Sequence, residues 1–153
     1  MYKRQALKER LAPLIDRFDV IFIDCPPNLS LLPINALLAA NRLLVPLQCE
    51  YYALEGLTQL LAYVEDLRAT TQATISLSGI LLTMYEPDFP LAQQVEREVR
   101  HHFSAEALQT VIPRDVSLAA APSHGKTIFD YDPLSRGGLA YLSATKELLH
   151  GFK

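Results

Sequence analysis

The stretch Asp19–Asn28, DVIFIDCPPN, gives the first clear indication of the fold of this protein. Four apolar residues, VIFI, follow one another without polar alternation. They predict a strand over Asp19–Asp24 that is covered on both faces, as in a parallel sheet. The strand ends on the carboxylate of Asp24, and two prolines come directly after Cys25. Because Pro26 and Pro27 restrict φ and remove two backbone donors, they predict a stiff turn at this point.

Length and composition are those of an ordinary soluble globular protein. The chain has 153 residues, of which 50% are hydrophobic and 20% charged, and its formal net charge is −3. This length suits a single domain, residues 1–153, and the charge gives no general indication of nucleic-acid binding. Cys25 and Cys49 lack metal-ligand spacing, and no secretory segment is visible, so they predict reduced thiols in a cytoplasmic protein.

Helical and strand-like segments alternate along the chain. Periodicity predicts helices over residues 2–18, 31–40, 53–68, 91–103 and 138–149, and strands over residues 42–47, 77–83 and 108–113. This alternation predicts an α/β fold, a mostly parallel sheet with helices on both faces. Ligands of such sheets bind at the carboxyl ends of the strands, here Asp24, Gln48, Thr83 and Pro113. We therefore expect these four residues to share one rim.

The position of Asp24 suits phosphate chemistry. A carboxylate that closes a buried strand can hold Mg²⁺ through water, because Mg²⁺ keeps much of its hydration and takes few protein ligands. Alternatively, Asp24 only ends the strand and caps the turn that follows. The pattern alone leaves both interpretations open.

Several blocks of the sequence resemble the ParA/Soj family of chromosome- and plasmid-partitioning ATPases. The blocks are FDVIFIDCPPNLSLLPINALLAANRLLVPLQCEYYALEGLTQLL, GILLTM, VIPRDV, APSHGK and YDPLSRG, and the resemblance extends from about Phe18 to the C-terminus. It implies a P-loop NTPase fold of the deviant Walker A type with Mg²⁺ and ATP as cofactors. It also implies an ATP-sandwiched homodimer, a ParB-like partner protein, and ATP-controlled, nonspecific binding to nucleoid DNA.

The resemblance also implies roles for individual residues. The block IFID resembles the Walker B strand, which makes Asp24 the catalytic carboxylate on the Mg²⁺ side, and Pro26 and Pro27 fall in the switch segment that follows. Thr83 stands at the strand end where some relatives carry a base-contacting amide side chain. The block IPRD resembles the loop that borders the adenine. Nucleotide contacts, mainly through the backbone, are implied for the residues of that loop, Pro113, Arg114 and Asp115.

The glycine-rich phosphate loop of the family is not found in these 153 residues. Ser123–Thr127, SHGKT, ends like such a loop, but the pattern G-x-x-x-x-G-K-[ST] requires glycine where Ala120 stands. We therefore expect a truncated P-loop NTPase, the C-terminal portion of a ParA-type domain, that alone neither binds ATP tightly nor hydrolyses it. A mis-called start, which we favour, a pseudogene product and a fragment completed by another chain would each produce this pattern.

Few residues are left to carry the DNA binding that the resemblance implies. Relatives commonly place basic residues after the LLTM and IPRD blocks, where this chain has Asp88 and Ser117. Arg97, Arg100 and Lys126 are weak candidates for neutralising phosphates. The stretch EREVRHHF, which contains both arginines, fits the solvated face of an amphipathic helix better.

Two other functions stay open from the sequence. One is a non-enzymatic interaction fragment that modulates a full-length ParA-type protein. The other is a MinD-like ATPase that positions the division site and carries a basic amphipathic membrane tail. The C-terminal stretch TKELLHGFK fits packing on the sheet better than such a tail, so we expect no membrane role.

Overall fold

The computed structural model describes residues 6–26, 30–71 and 73–151. Contacts divide the chain into two compact units. The first unit comprises the residues up to Leu43 together with Leu60–Ser76, and the second comprises Leu44–Gln59 together with the residues from Leu77 onwards. The prediction of a single domain over residues 1–153 stays a prediction.

The first unit contains short helical elements together with residues 60–70, the second half of a longer helix. Helix α1 spans Ala6–Leu11 and continues as a 3₁₀ turn over Ala12–Arg17, with a proline in its first two positions. Proline lacks the amide that an α-helix needs at such a position, which accounts for the early end of the predicted helix over residues 2–18. Helix α2, Leu31–Ala39, contacts α1. Its buried Ile34, Leu37 and Leu38 form one core with the buried Val64, Leu67 and Ile75.

The predicted strand over Asp19–Asp24 is wrong for this structure. The segment has no regular secondary structure and pairs with no strand in the described ranges. Its apolar side chains are not covered, since Val20 is 46% exposed and Phe22 78% exposed. An apolar run sets a preference for the strand conformation, whereas a sheet also needs a neighbour whose backbone groups complete the hydrogen bonds.

Two parallel strands form the sheet of the described residues. Strand β1 spans Arg42–Gln48, strand β2 spans Ser76–Thr83, and helix α3, Tyr51–Thr70, connects them. The consecutive residues Ile80, Leu81 and Leu82 of β2 are all buried. Burial without alternation means that both faces of β2 are covered, as the apolar runs in the sequence predict for an α/β protein.

The predicted strand over residues 108–113 is only partly formed. We call Ala107–Arg114 the bridging segment, because it touches β2 and the residues after β2 through two isolated parallel bridges, Ile80 to Ala107 and Tyr85 to Pro113. Between these bridges the Ile112 amide donates to the Leu82 carbonyl of β2 at 2.8 Å, but at residues 109 and 110 a side chain replaces the strand partner. The Glu147 carboxylate accepts the N–H groups of Gln109 at 2.5 Å and Thr110 at 3.0 Å. These bonds interrupt the ladder without leaving the two amides unpaired.

Helices complete the second unit: α4 over Pro90–His102, α5 over Val116–Ala120, a 3₁₀ turn over Ala121–His124, α6 over Ile128–Tyr131 and α7 over Arg136–Gly151. The core of this unit joins Leu81 to Leu108 and Ile112 of the bridging segment and to Ala144 of α7. No helix in the described ranges is long and apolar enough to cross a membrane.

Candidate functional site

Asp24 lies in the first unit, at the end of the exposed segment over residues 19–24. Its side chain is exposed, and within the described residues it accepts no hydrogen bond. Partial burial, followed by the charge of Asp24, raises the pKa of the adjacent Cys25 thiol. Pro26 is exposed as well, and Pro27 lies outside the described residues. The Asp24 carboxylate is therefore accessible and is not used as a cap by the described backbone.

The Asp24 carboxylate suits magnesium better than it suits a metal that needs several protein ligands. Among the described residues, no group of three or more His, Cys, Asp or Glu side chains could hold a metal ion. A lone, accessible carboxylate offers hard oxygen ligands and leaves the remaining positions to water and phosphate, as Mg²⁺ requires. Asp24 is thus chemically suited to a magnesium ion that arrives with a nucleotide.

In the second unit, three of the predicted strand ends lie together. The Cys49 amide, which follows the last residue of β1, donates to the Thr83 carbonyl at the end of β2 over 3.1 Å. Two residues further on, Tyr85 pairs with Pro113 of the bridging segment. The structure therefore brings the ends of three predicted strands, at Gln48, Thr83 and Pro113, to one edge. Asp24 belongs to the first unit.

The loop after β2 is strained and firmly held. Met84 has a φ of 52°, a left-handed conformation that is unfavourable for a residue with a side chain. The Tyr85 amide donates to the Ile112 carbonyl at 3.0 Å, and its carbonyl accepts the Arg114 amide at 3.1 Å. The Arg114 side chain forms an ion pair with Glu86, with 2.6 Å between Nε and Oε1. These contacts fix the backbone of Pro113 and Arg114, through which the nucleotide contacts are predicted.

Asp115 joins the starts of two helices. Its Oδ1 accepts the Ser117 amide at 2.8 Å, which caps α5, and its Oδ2 accepts the Gly137 amide at 2.8 Å, in the first turn of α7. The hydrogen bonds from Gly137 and Ser117 hold the pKa of Asp115 below its ordinary value. Leu118 packs so tightly on Gly137 that an added Cβ would lie 2.5 Å from Leu118 Cγ. The carboxylate therefore has a structural task at the starts of α5 and α7.

The segment SHGKT has a different local structure from a phosphate-binding loop. Its amides donate to the residues just before it, from Gly125 to the Pro122 carbonyl at 3.0 Å and from Lys126 to the Ala121 carbonyl at 3.1 Å. Gly125 adopts a φ of 62°, which favours glycine, and ends the 3₁₀ turn. Thr127 then caps α6. Since the amides of Gly125 and Lys126 are already paired, they do not form an anion cradle.

The three candidate DNA-binding cations differ in their surroundings. Arg97 and Lys126 are exposed. By contrast, Arg100 Nε donates to Glu96 at 2.9 Å, and its two terminal nitrogens donate to the carbonyls of Leu108 and Gln109, each at 3.1 Å. To reach a phosphate, Arg100 would have to give up these bonds. The sequence interpretation overlooked this role and that of Glu96, although the four-residue spacing of the pair is a recognisable helical ion-pair signal.

Comparisons with known proteins define the class first. A crystal structure of cobyrinic acid a,c-diamide synthase from Mycobacterium smegmatis, with bound ATP analog and magnesium, matches with a TM-score of 0.80 and 33% sequence identity. The match covers 99% of this chain and 55% of that chain. The fold is therefore the α/β fold of P-loop NTPases.

Sequence comparisons then give the family. A profile of the AAA domain matches residues 1–77. The sporulation initiation inhibitor protein Soj of Bacillus subtilis is 48% identical over 93% of this chain and 56% of its own length. The chromosome partitioning protein ParA of Myxococcus xanthus is 45% identical over 94% of this chain and 50% of its own length. The chain belongs to the AAA domain family and, within it, to the ParA/Soj family of partitioning ATPases. It spans about half the length of these two relatives.

Proposed function

We propose that this chain forms the C-terminal part of a ParA/Soj-type ATPase that acts in chromosome or plasmid partitioning. The observation that carries the proposal is the IPRD loop. Tyr85 holds the backbone of this loop, and the carboxylate of Asp115 binds the first turns of two helices. The loop lies at the edge where β1 ends at Gln48 and β2 ends at Thr83. This is the edge where α/β folds bind ligands. Similarity to Soj over 93% of the chain supports the same function.

Each candidate residue has a defined task in this proposal. Asp24 holds Mg²⁺ through water, and Pro26 and Pro27 form the switch segment behind it. Pro113, Arg114 and Asp115 border the adenine through their backbone, and Thr83 lies beside them. When bound, Mg²⁺ neutralises the charge of the ATP phosphates.

Residues 1–153 do not suffice for hydrolysis in this proposal. They contain no G-x-x-x-x-G-K-[ST] pattern, and in the segment that comes nearest to it the amides of Gly125 and Lys126 donate to the residues just before the segment. Without a phosphate cradle, the triphosphate keeps water as its main ligand, and Asp24 alone cannot order the metal. We infer that the chain alone has no ATPase activity above background. In the complete ATPase, a homodimer and a ParB-like partner protein complete the system.

The three candidate cations are not equally available for nonspecific DNA binding. Arg97 and Lys126 are exposed and free to meet phosphates, whereas Arg100 is held by Glu96 and by two backbone carbonyls. Because affinity for nonspecific DNA grows with each phosphate that is neutralised, two cations per chain give weak, salt-sensitive binding.

A chimaera tests the proposed ATPase function. This chain replaces the aligned region of Bacillus subtilis Soj, and ATP hydrolysis is measured with and without Asp24→Asn. We expect Mg²⁺-dependent hydrolysis that Asp24→Asn lowers by about 10- to 100-fold, the usual effect of disturbing a metal site. The matched control is Asp19→Asn, an exposed carboxylate at the other end of the same segment. Equal rates for the two variants would refute the assignment of Asp24.

The competing interaction role has its own measurement. The isolated chain is added to intact Soj, and the Soj ATPase rate is followed. The ATPase proposal predicts no change, whereas a non-enzymatic modulator would change the rate in proportion to the amount of added chain.

A further inference from the structure

The IPRD loop is held at the end of the bridging segment, so its position depends on what holds that segment. Near one end, the Leu108 amide donates to the Ile80 carbonyl of β2 at 3.0 Å. At the other end, the Arg114 amide donates to the Tyr85 carbonyl at 3.1 Å. Between these points the Ile112 amide also donates to the Leu82 carbonyl of β2 at 2.8 Å, and the ladder is interrupted at residues 109–111, where side chains help to hold the segment.

Helix α4 reaches both ends of the bridging segment through one carboxylate. The Glu96 side chain interacts with the Tyr85 hydroxyl and raises its pKa. The same carboxylate accepts Arg100 Nε at 2.9 Å. The terminal nitrogens of Arg100 hold the carbonyls of Leu108 and Gln109. Glu96 therefore contacts Tyr85, which holds the loop end, and Arg100, which holds the other end.

The surroundings of Glu96 keep it ionised. Partial burial acts to raise its pKa, but the hydrogen bonds from Tyr85 and Arg100, together with the Arg100 charge, hold the pKa below its ordinary value. The side chains of Glu96 and Arg100 are only 24% and 28% exposed, whereas those of the Glu65–Arg68 pair on α3 are 70% and 45% exposed. Reduced exposure strengthens the attraction between the charges because less water screens them.

We propose that Glu96 is a positioning residue for the loop Pro113–Asp115, acting through Tyr85 at one end of the bridging segment and through Arg100 at the other. The consequence for nucleotide binding rests on the proposed ATPase function, whereas the positioning itself does not. Strain at Met84, whose φ is 52°, gives a reason for such a device. A left-handed residue next to Tyr85 keeps its conformation only if its neighbours are held firmly.

Amide hydrogen exchange of the full 153-residue chain, resolved by residue with NMR, tests the positioning. In Tyr85→Phe, we expect the Arg114 amide to exchange about tenfold faster, with Leu108 unchanged. In Arg100→Gln, we expect the Leu108 amide to exchange faster, with Arg114 unchanged. Glu96→Gln should accelerate exchange of both amides, because the contacts of Tyr85 and of Arg100 both depend on its carboxylate.

The matched control is Glu98→Gln on the same helix, since Glu98 is 50% exposed and pairs with His102 at 3.5 Å. It should leave Arg114 and Leu108 unchanged. A purely helix-stabilising role for Glu96 would instead accelerate α4 reporters such as the Phe103 amide, which donates to the Val99 carbonyl. The proposal fails if Glu96→Gln changes only those reporters or changes neither end. If Glu96→Gln does not fold, Tyr85→Phe and Arg100→Gln still decide between the outcomes.

The functional arm uses the Soj chimaera. With loop positioning as its only effect, Glu96→Gln should raise KM for ATP about tenfold and leave kcat nearly unchanged. An unchanged KM in an active chimaera contradicts the link from Glu96 to the nucleotide. The chimaera can also be inactive while Glu96→Gln in the isolated chain accelerates exchange of both Arg114 and Leu108. That result refutes the proposed ATPase function and supports the positioning role, so the two failures are distinguishable.

Discussion

Replacement of Asp115 should weaken the second unit in two measurable steps. The carboxylate caps α5 through the Ser117 amide and holds α7 through the Gly137 amide, both at 2.8 Å. Loss of a helix cap costs about 0.5–2 kcal/mol, and loss of a second hydrogen bond costs about 1 kcal/mol. Asp115→Ala should therefore lower the free energy of unfolding by about 2 kcal/mol. Asp115→Asn, which keeps one acceptor oxygen, should lower it by about 1 kcal/mol.

Thermal and urea unfolding provide the assay. A loss of about 2 kcal/mol corresponds to a Tm lower by about 4–8 °C for a chain of this size. The control is Asp88→Asn, an exposed carboxylate in the loop before α4, which should leave Tm within about 1 °C. Equal Tm values for Asp115→Ala and the unaltered chain would refute the capping argument.

The difference in stability between the unaltered chain and Asp115→Asn should depend on pH, which gives an independent check. Hydrogen bonds to its carboxylate depress the pKa of Asp115 in the folded chain. The stability that this ionised group contributes is therefore complete above the unfolded pKa of about 4, and it is lost as the pH falls through the lower folded value. The gap between the unaltered chain and Asp115→Asn should stay constant near neutral pH and shrink in acid. A gap that grows in acid would contradict this sign.

Other substitutions and reagents test packing and burial. Gly137→Ala should lower the free energy of unfolding by about 1–3 kcal/mol, because the added Cβ would lie 2.5 Å from Leu118 Cγ. Gly56→Ala in α3 should raise it by about 0.5–1 kcal/mol, because a Cβ there would meet nothing within 4 Å. Urea unfolding of both variants checks the signs, and equal shifts would contradict the packing. Burial, followed by the charge of Glu96, raises the pKa of the Cys49 thiol to about 11. At pH 7 a thiol reagent should therefore label the exposed Cys25 before the buried Cys49. Faster labelling of Cys49 would refute its burial.

The regular elements could be predicted because their side chains repeat with the period of the element. The Leu and Val residues of α3 recur at helical spacing, and the unbroken apolar run of β2 predicts a strand covered on both faces. Residues 19–24 carry an equally apolar run, yet they form no strand among the described residues. Pairing depends on a neighbour that a local pattern does not reveal.

The site was predictable in part. Strand ends and the IPRD block placed Thr83 and Pro113 at one edge, and the structure brings their neighbourhoods together. The side chains that hold the bridging segment were not predicted, because Arg100 and Glu147 bind backbone groups that belong to another element. The cap at Asp115 could have been recognised, since aspartate two residues before a serine at a helix start is a known capping pattern.

The central claim is that Asp24 serves a magnesium nucleotide. The most direct measurement is the affinity of the Soj chimaera for a fluorescent ATP analogue, determined with Mg²⁺ and again with EDTA. The account predicts that Asp24→Asn lowers the affinity in Mg²⁺ by about 10- to 100-fold and leaves the affinity in EDTA unchanged. Equal affinities of the variant and the unaltered chimaera in Mg²⁺ would contradict it.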